Sequence, residues 1–354
     1  MENIAVEDLR QASFNKHPVG SGPFQFISLD SSASLDRIEL KSFAQYYDKE
    51  PYINRLIVSA YDDKEKLRKN IDSFDGIRDL DAEILQAYQD DFNVRKLKLP
   101  RYEALIFNLG SKNLSNKTLR EALRLSLNKD DLVDDLLGEA VYSPIPFFSN
   151  YESVYDPEKA NEIFEEAGYN FEEGEEFRQD KDGNILEFSL VTLDNTQKTA
   201  LAKKLQELWA AAGVKVNLIM VDAGTLNLEF LNNRNYDSLL IGQNLGSDLD
   251  LYSFWHSSQA QNGQNLSQIR SIDIDILIEK IRKTHDHNDQ LTLSRQLADE
   301  ILKEVPAIFL YTPYYTYAIG KNVHDPFIPE NLTVPSDRYA LINEWYVKEK
   351  RVWK

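Results

Sequence analysis

Between residues 186 and 220 the spacing of apolar positions changes twice. Leu186, Phe188 and Leu190 alternate along the chain, as one buried face of a strand requires. Over 196–212 the apolar positions are Leu201, Leu205, Leu208, Trp209 and Ala212, the spacing of an amphipathic helix, and Gly213 is its stop signal. Alternation then returns at Val214, Val216, Leu218 and Met220. Strand, helix and strand in that order predict a βαβ unit, whose right-handed crossover makes the two strands parallel.

Helical spacing also marks Leu119, Ala122, Leu123, Ser126 and Leu127. Asn128 followed by Asp131 resembles a capping box and predicts a second helix carrying Leu132, Val133, Leu136 and Leu137, ended by Gly138. A third helix, with Ala160, Ile163, Phe164 and Ala167, has Asp156 as N-cap, Pro157 at its first position and Gly168 as its stop. Asp182-Gly183-Asn184 predicts a hairpin turn leading onto the Leu186 strand. Further on, a short apolar run at 236–242, helices at 272–283 and 289–304 and a strand at 306–311 complete the middle of the chain.

The first hundred residues have a different texture. Strands are expected from Phe24, Phe26 and Ile27, with a partner at 38–43, and again at 54–59. A charged helical turn follows at 64–70, a helix at 81–89 with Ile84, Leu85 and Tyr88 on one side, and an apolar strand at 102–109. The tail, 314–354, returns to this aromatic strand-and-loop character. The two ends resemble each other more than either resembles the middle. That predicts an N-terminal arm at 1–17, a discontinuous lobe made of 18–109 with 313–354, and an α/β lobe inserted at 110–312. The crossings are placed at 108–111 and 312–319, with Asn108 and Thr312 as hinge residues.

A length of 354 residues allows two or three domains. With 40 basic against 58 acidic residues the net charge is −18, which argues against a nucleic-acid partner. Cysteine is absent, so disulfides, thiolate nucleophiles and cysteine-ligated metals are excluded. Residues 1–16 hold Glu2, Glu7, Asp8 and Arg10 without an apolar core, so no signal peptide is visible there, and no window has the apolar length of a membrane span.

The familiar catalytic and metal patterns fail one by one. His285 and His287 lie two residues apart, on different helical faces or in a loop without a third ligand, and are expected in solvent. His17, His256 and His324 are isolated. The run from Asp180 to Asn184 has its glycine at the wrong place for a calcium loop, and Pro23 removes an amide that a phosphate cradle at Gly20-Ser21-Gly22 would use. Carboxylates are too abundant for any pair of them to point to acid–base catalysis. An enzyme would have to depend on Asp248 or Asp250. The segment 241–256 is more informative, because it sets amides, carboxylates and aromatics just past a strand's C-terminal end, where open α/β sheets bind ligands. Its candidate ligand contacts are Gln243, Asn244, Asp248, Asp250 and Trp255.

Several segments, in order, resemble the dipeptide- and oligopeptide-binding proteins of ABC importers, solute-binding protein family 5. Pro18-Val19-Gly20-Ser21-Gly22-Pro23-Phe24-Gln25-Phe26 is similar to P-x-G-T-G-P-Y-x-F. Leu105-Ile106-Phe107-Asn108-Leu109, then Leu119-Arg120-Glu121-Ala122-Leu123 and Asn128-Lys129, resemble the family's F-N and V-R-x-A-L blocks. Tyr155-Asp156-Pro157 through Ala167-Gly168-Tyr169 and Glu304-Val305-Pro306 through Tyr311 extend the match. The resemblance implies a two-lobed, type II periplasmic-binding-protein-like α/β architecture with mixed sheets and a hinge. It implies an extracytoplasmic, non-catalytic monomer that needs no cofactor or metal, is membrane-tethered at full length, and closes on a peptide or other small solute for delivery to ABC transporter permease subunits.

The chain also departs from the family pattern. The small domain that usually precedes the first block is expected to be missing, as in a shortened form or a separately encoded C-terminal portion. Gly242-Gln243 stands where the family often has Gly-Trp, and Asp248-Leu249-Asp250 leaves the ammonium-binding aspartate unplaced. The alternatives are therefore a ligand-free protein-interaction module on the same fold, or a binder of a nickel chelate or sugar.

Overall fold

In the computed structural model the strand Glu187–Leu193, the helix Thr196–Ala211 and the strand Lys215–Val221 form the expected unit, with the two strands paired in parallel. The structure describes residues 12–347 except 33–34, 79, 81, 89, 113, 134–137, 149, 247 and 249. The chain divides into two compact units, Met1–Lys98 with Tyr315–Lys354, and Leu99–Tyr314. The first unit is discontinuous, with the second inserted into it, but the first crossing lies at 98/99 rather than at 109/110. The strand Arg101–Phe107 accounts for the difference, because it pairs with Ser238–Asn244 on one side and Ala307–Pro313 on the other, inside the sheet of the second unit.

That sheet has six strands, in the order Gly138–Ala140, Ala307–Pro313, Arg101–Phe107, Ser238–Asn244, Glu187–Leu193 and Lys215–Val221. The two-residue period sends Leu105 and Phe107 to one core and Tyr102, Ala104 and Ile106 to the other. Helices Lys117–Leu125, Pro157–Glu166 and Thr196–Ala211 cover the first face, and Ile272–Lys283 and His287–Glu304 cover the second. Local signals fix the helix ends. The side chains of Asp156 and Asn195 accept hydrogen bonds from the amides of Lys159 and Lys198, and Gly168 and Gly213 take positive φ of 88° and 79°.

The second predicted helix is described only over Asp130–Val133, and Leu136 and Leu137 lie outside the described residues, as does the Val133 side chain. Gly138 opens the strand Gly138–Ala140, which pairs with Tyr311–Pro313. Beside this short strand the Lys129 ammonium donates to the carbonyls of Val141 (3.1 Å) and Phe309 (3.0 Å) and lies 3.8 Å from the centre of the Tyr142 ring. Burial, reinforced by Arg124, pushes Lys129 down to about 7. Between that value and the ordinary lysine range the unfolded chain carries a proton that the folded chain lacks, so this group adds stability as pH rises. The slope is at most about 1.4 kcal/mol per pH unit. Unfolding free energies from urea titration at pH 7 and pH 9 are expected to diverge between wild type and Lys129→Met by roughly 2 kcal/mol or less, and parallel pH dependences would disprove this.

The first unit contains an antiparallel sheet of Phe24–Ser31, Leu35–Ser42 and Arg55–Tyr61. In a second sheet Tyr315–Gly320 lies between Gly76–Arg78 and Phe92–Leu97, over a core of Ile71, Ile77, Leu80, Ile84, Phe92 and Ala318. Local alternation passes over Phe92–Leu97, in which only Phe92 and Leu97 are buried, because its partner comes from the far end of the chain. The helix near 81–89 spans Ala82–Tyr88. The Leu85 side chain and residues 1–11 of the expected arm lie outside the described residues.

Candidate functional site

Leu193, Val221 and Asn244 end their strands at one edge of the second unit's sheet, and the antiparallel strands enter it at Arg101 and leave it at Pro313 there. This is the edge at which open α/β sheets place ligands. Strand register brings its polar groups together, since Asn244 lies opposite Arg101, Gly242 opposite Glu103, and Tyr311 opposite Glu103 on the other side. Lys198, in the first turn of Thr196–Ala211, reaches over and its ammonium donates to the Glu103 carboxylate.

The side chains of Lys198 and Glu103 are only 13% and 17% exposed, less than in any other lysine or arginine ion pair among the described residues. Gly242 makes room for them, because a Cβ there would sit 2.7 Å from Glu103 Oε1. Burial, followed by the Glu103 charge, pushes the Tyr311 hydroxyl up to about 12, so it stays a neutral donor beside that carboxylate.

The expected contact residues fall in different places. Asn244 is exposed at this edge, whereas Gln243, one position away, points to the opposite face and is buried. There the Tyr102 hydroxyl donates to Gln243 Oε1, and burial raises the Tyr102 pKa. Trp255 is a core residue, 1% exposed and packed edge-on to Phe309 at 5.9 Å, rather than a wall open to solvent. Its indole nitrogen makes no hydrogen bond among the described residues.

Asp250 is already committed, pairing with Arg282 of the helix Ile272–Lys283 at 3.2 Å and accepting from the Tyr252 amide at 3.0 Å. Asp248 is exposed and accepts from the Asp250 amide at 3.3 Å. Asn108 is buried beyond the opposite end of its strand, donating to the Tyr236 carbonyl at 2.7 Å and accepting from Gln268 at 2.6 Å. Its place is inside the second unit, away from the crossing at 98/99. Thr312 is close to the other crossing and its hydroxyl donates to the Arg101 carbonyl at 2.9 Å. His285 and His287 are exposed, and no group of three or more metal-ligating side chains occurs among the described residues.

Glu103, Lys198, Arg101 and Tyr311 were not among the expected residues. One signal for them was present: Glu103 is a lone charge inside an apolar strand run. Its partner Lys198 sits 95 residues later on a helix and carries no signal of its own.

Residues 3–265 match the family model described as bacterial extracellular solute-binding proteins, family 5 Middle. The oligopeptide-binding protein AppA of Bacillus subtilis is 26% identical over 340 residues, which are 91% of this chain and 62% of that protein. The dipeptide-binding protein of Escherichia coli is 25% identical over 83% of this chain and 56% of its own length. The chain thus spans less than two thirds of either relative. Among solved structures, the substrate-binding protein CtaP of Listeria monocytogenes superposes with a TM-score of 0.81 at 19% identity, over 98% of this chain and 70% of that one. B. subtilis AppA in complex with a nonapeptide superposes with a TM-score of 0.71 at 22% identity, over 98% and 71%.

Proposed function

Because this chain belongs to the bacterial extracellular solute-binding proteins, family 5, we propose that it captures a peptide outside the cytoplasm and delivers it to the permease of an ABC importer. The fold is the type II periplasmic-binding-protein architecture of its structural neighbours. The reading is one of binding without catalysis. The expected mechanism is that of a monomer that captures the solute by lobe closure, with the solute supplying contacts that exist only in the closed state.

The observation that carries this reading is the polar edge built by Arg101, Glu103, Lys198 and Asn244 where the parallel strands end. Asn244 and Asp248 remain proposed contacts because both are exposed. Gln243 acts from behind, by holding Tyr102. Membrane tethering at full length belongs to the same proposal.

A thermal-shift screen against di- to pentapeptides, with sugars and nickel–histidine as controls, tests it. A ligand at a hundred times its Kd adds about 2.7 kcal/mol to the folded state, so a peptide hit is expected to raise the melting temperature by roughly 5 °C. A rise with sugars or nickel–histidine and none with peptides would transfer the assignment to that solute.

A further inference from the structure

We propose that the Glu103 carboxylate is the receptor for a primary ammonium or guanidinium group of the solute, and that Lys198 occupies it until the solute takes its place. This deepens the solute-binding reading and rests on it. Glu103 projects near the start of the central strand Arg101–Phe107, over Gly242 and beside Tyr311, with only 17% of its side chain exposed. A carboxylate so poorly exposed is better off with a cation beside it, since stripping its partner leaves a largely desolvated charge uncompensated. Exchanging one cation for another avoids that cost.

The present partner is suited to leave. Lys198 lies in the first helical turn, held through its backbone amide by the Asn195 side chain at 3.0 Å, so its flexible stem can swing to solvent without disturbing the helix. The two residues before it, Thr196 and Gln197, are exposed, so that side of the turn faces water. The two aspartates of the segment after Ser238–Asn244 do not fit the role. Asp250 is spent on Arg282 and the Tyr252 amide, and Asp248 is exposed, where an ion pair contributes little. An internal lysine that competes for the site would also favour solutes whose cation is well placed by the rest of the molecule over simple amines.

Isothermal titration of wild type, Lys198→Met and Glu103→Gln with tri-alanine and N-acetyl-tri-alanine tests the exchange. Both substitutions nearly conserve shape, and far-UV circular dichroism checks that each variant is folded. Wild type is expected to prefer the free amino terminus by about tenfold. Lys198→Met should tighten the free peptide by a further tenfold or so while leaving the acetylated one unchanged. Glu103→Gln should erase the preference. Equal binding of the two peptides by wild type, or a preference that survives Glu103→Gln, overturns the inference and leaves the solute-binding reading standing.

If neither peptide binds any variant, n-butylammonium chloride is compared with sodium chloride at equal ionic strength in thermal shift. A selective rise in melting temperature for Lys198→Met, absent from the Lys198→Met/Glu103→Gln double variant, supports the cation site and removes tri-alanine as a solute. No such rise overturns the inference.

Discussion

Replacing Arg120 with methionine is expected to lower the melting temperature of the 99–314 unit by roughly 10 °C, a loss of about 4 kcal/mol. Arg120 is 2% exposed and has no carboxylate partner among its hydrogen bonds. Its guanidinium donates instead to four backbone carbonyls, those of Val305 (2.8 Å), Glu304 (2.7 Å), Leu114 (2.8 Å) and Ser115 (3.0 Å). Two of these oxygens belong to the end of the helix His287–Glu304, where Val305 takes φ 48° and the chain turns into the strand Ala307–Pro313. Such terminal carbonyls have no partner within their own helix.

Methionine fills much of the arginine's volume but donates nothing, so the cost comes from buried acceptors and not from a cavity. Burial lowers the Arg120 pKa to about 10, still far enough above neutrality to keep the side chain a full donor. Differential scanning calorimetry that resolves the two units checks the result. A shift below about 3 °C would mean that water replaces the guanidinium and that the carbonyls were never isolated.

Trp209→Ala is the second large effect, a loss of about 4 kcal/mol from the same unit. Trp209 is fully buried, its ring meets Phe188 edge-on at 5.4 Å, and its indole N–H donates to the Leu123 carbonyl at 3.1 Å. One side chain therefore ties the helix Thr196–Ala211 to a strand below it and a helix beside it. Trp209→Phe is expected to recover more than half of the loss, since it restores most of the apolar contact but not the hydrogen bond. Equal destabilisation by the two variants would place the stabilisation in the hydrogen bond rather than in packing.

The parts of the fold that were legible in the sequence share one property, that their signals lie within a few residues of each other. Pro157 after Asp156, Gly168 and Gly213 mark helix ends because capping and positive φ are local requirements. The stripe of Leu201, Leu205 and Trp209 was readable for the same reason, and all three residues are core. Arg120 was legible only as a family resemblance, since nothing near it in sequence announces carbonyl partners 184 and 185 residues away.

The candidate site was legible in part. The segment after Ser238–Asn244 was identified, and Asn244 does lie at the strand edge, but Gln243 and Trp255 are buried because polarity and aromaticity do not reveal which side of a strand or helix faces the core. Asp250 looked available as a lone carboxylate until Arg282, 32 residues later, met it in space. Glu103 and Lys198 form their ion pair only because register sets Gly242 beneath one and helix packing brings the other across.

Periodicity and capping were thus enough to define the α/β class and the parallel βαβ unit, because those follow from backbone sterics and the burial of one face. Which charged groups meet at the strand edge, which strand joins which unit and which aromatics are core depended on the packed chain. Those outcomes come from pairings between distant segments, and a distant partner leaves no mark on the local spacing of residues.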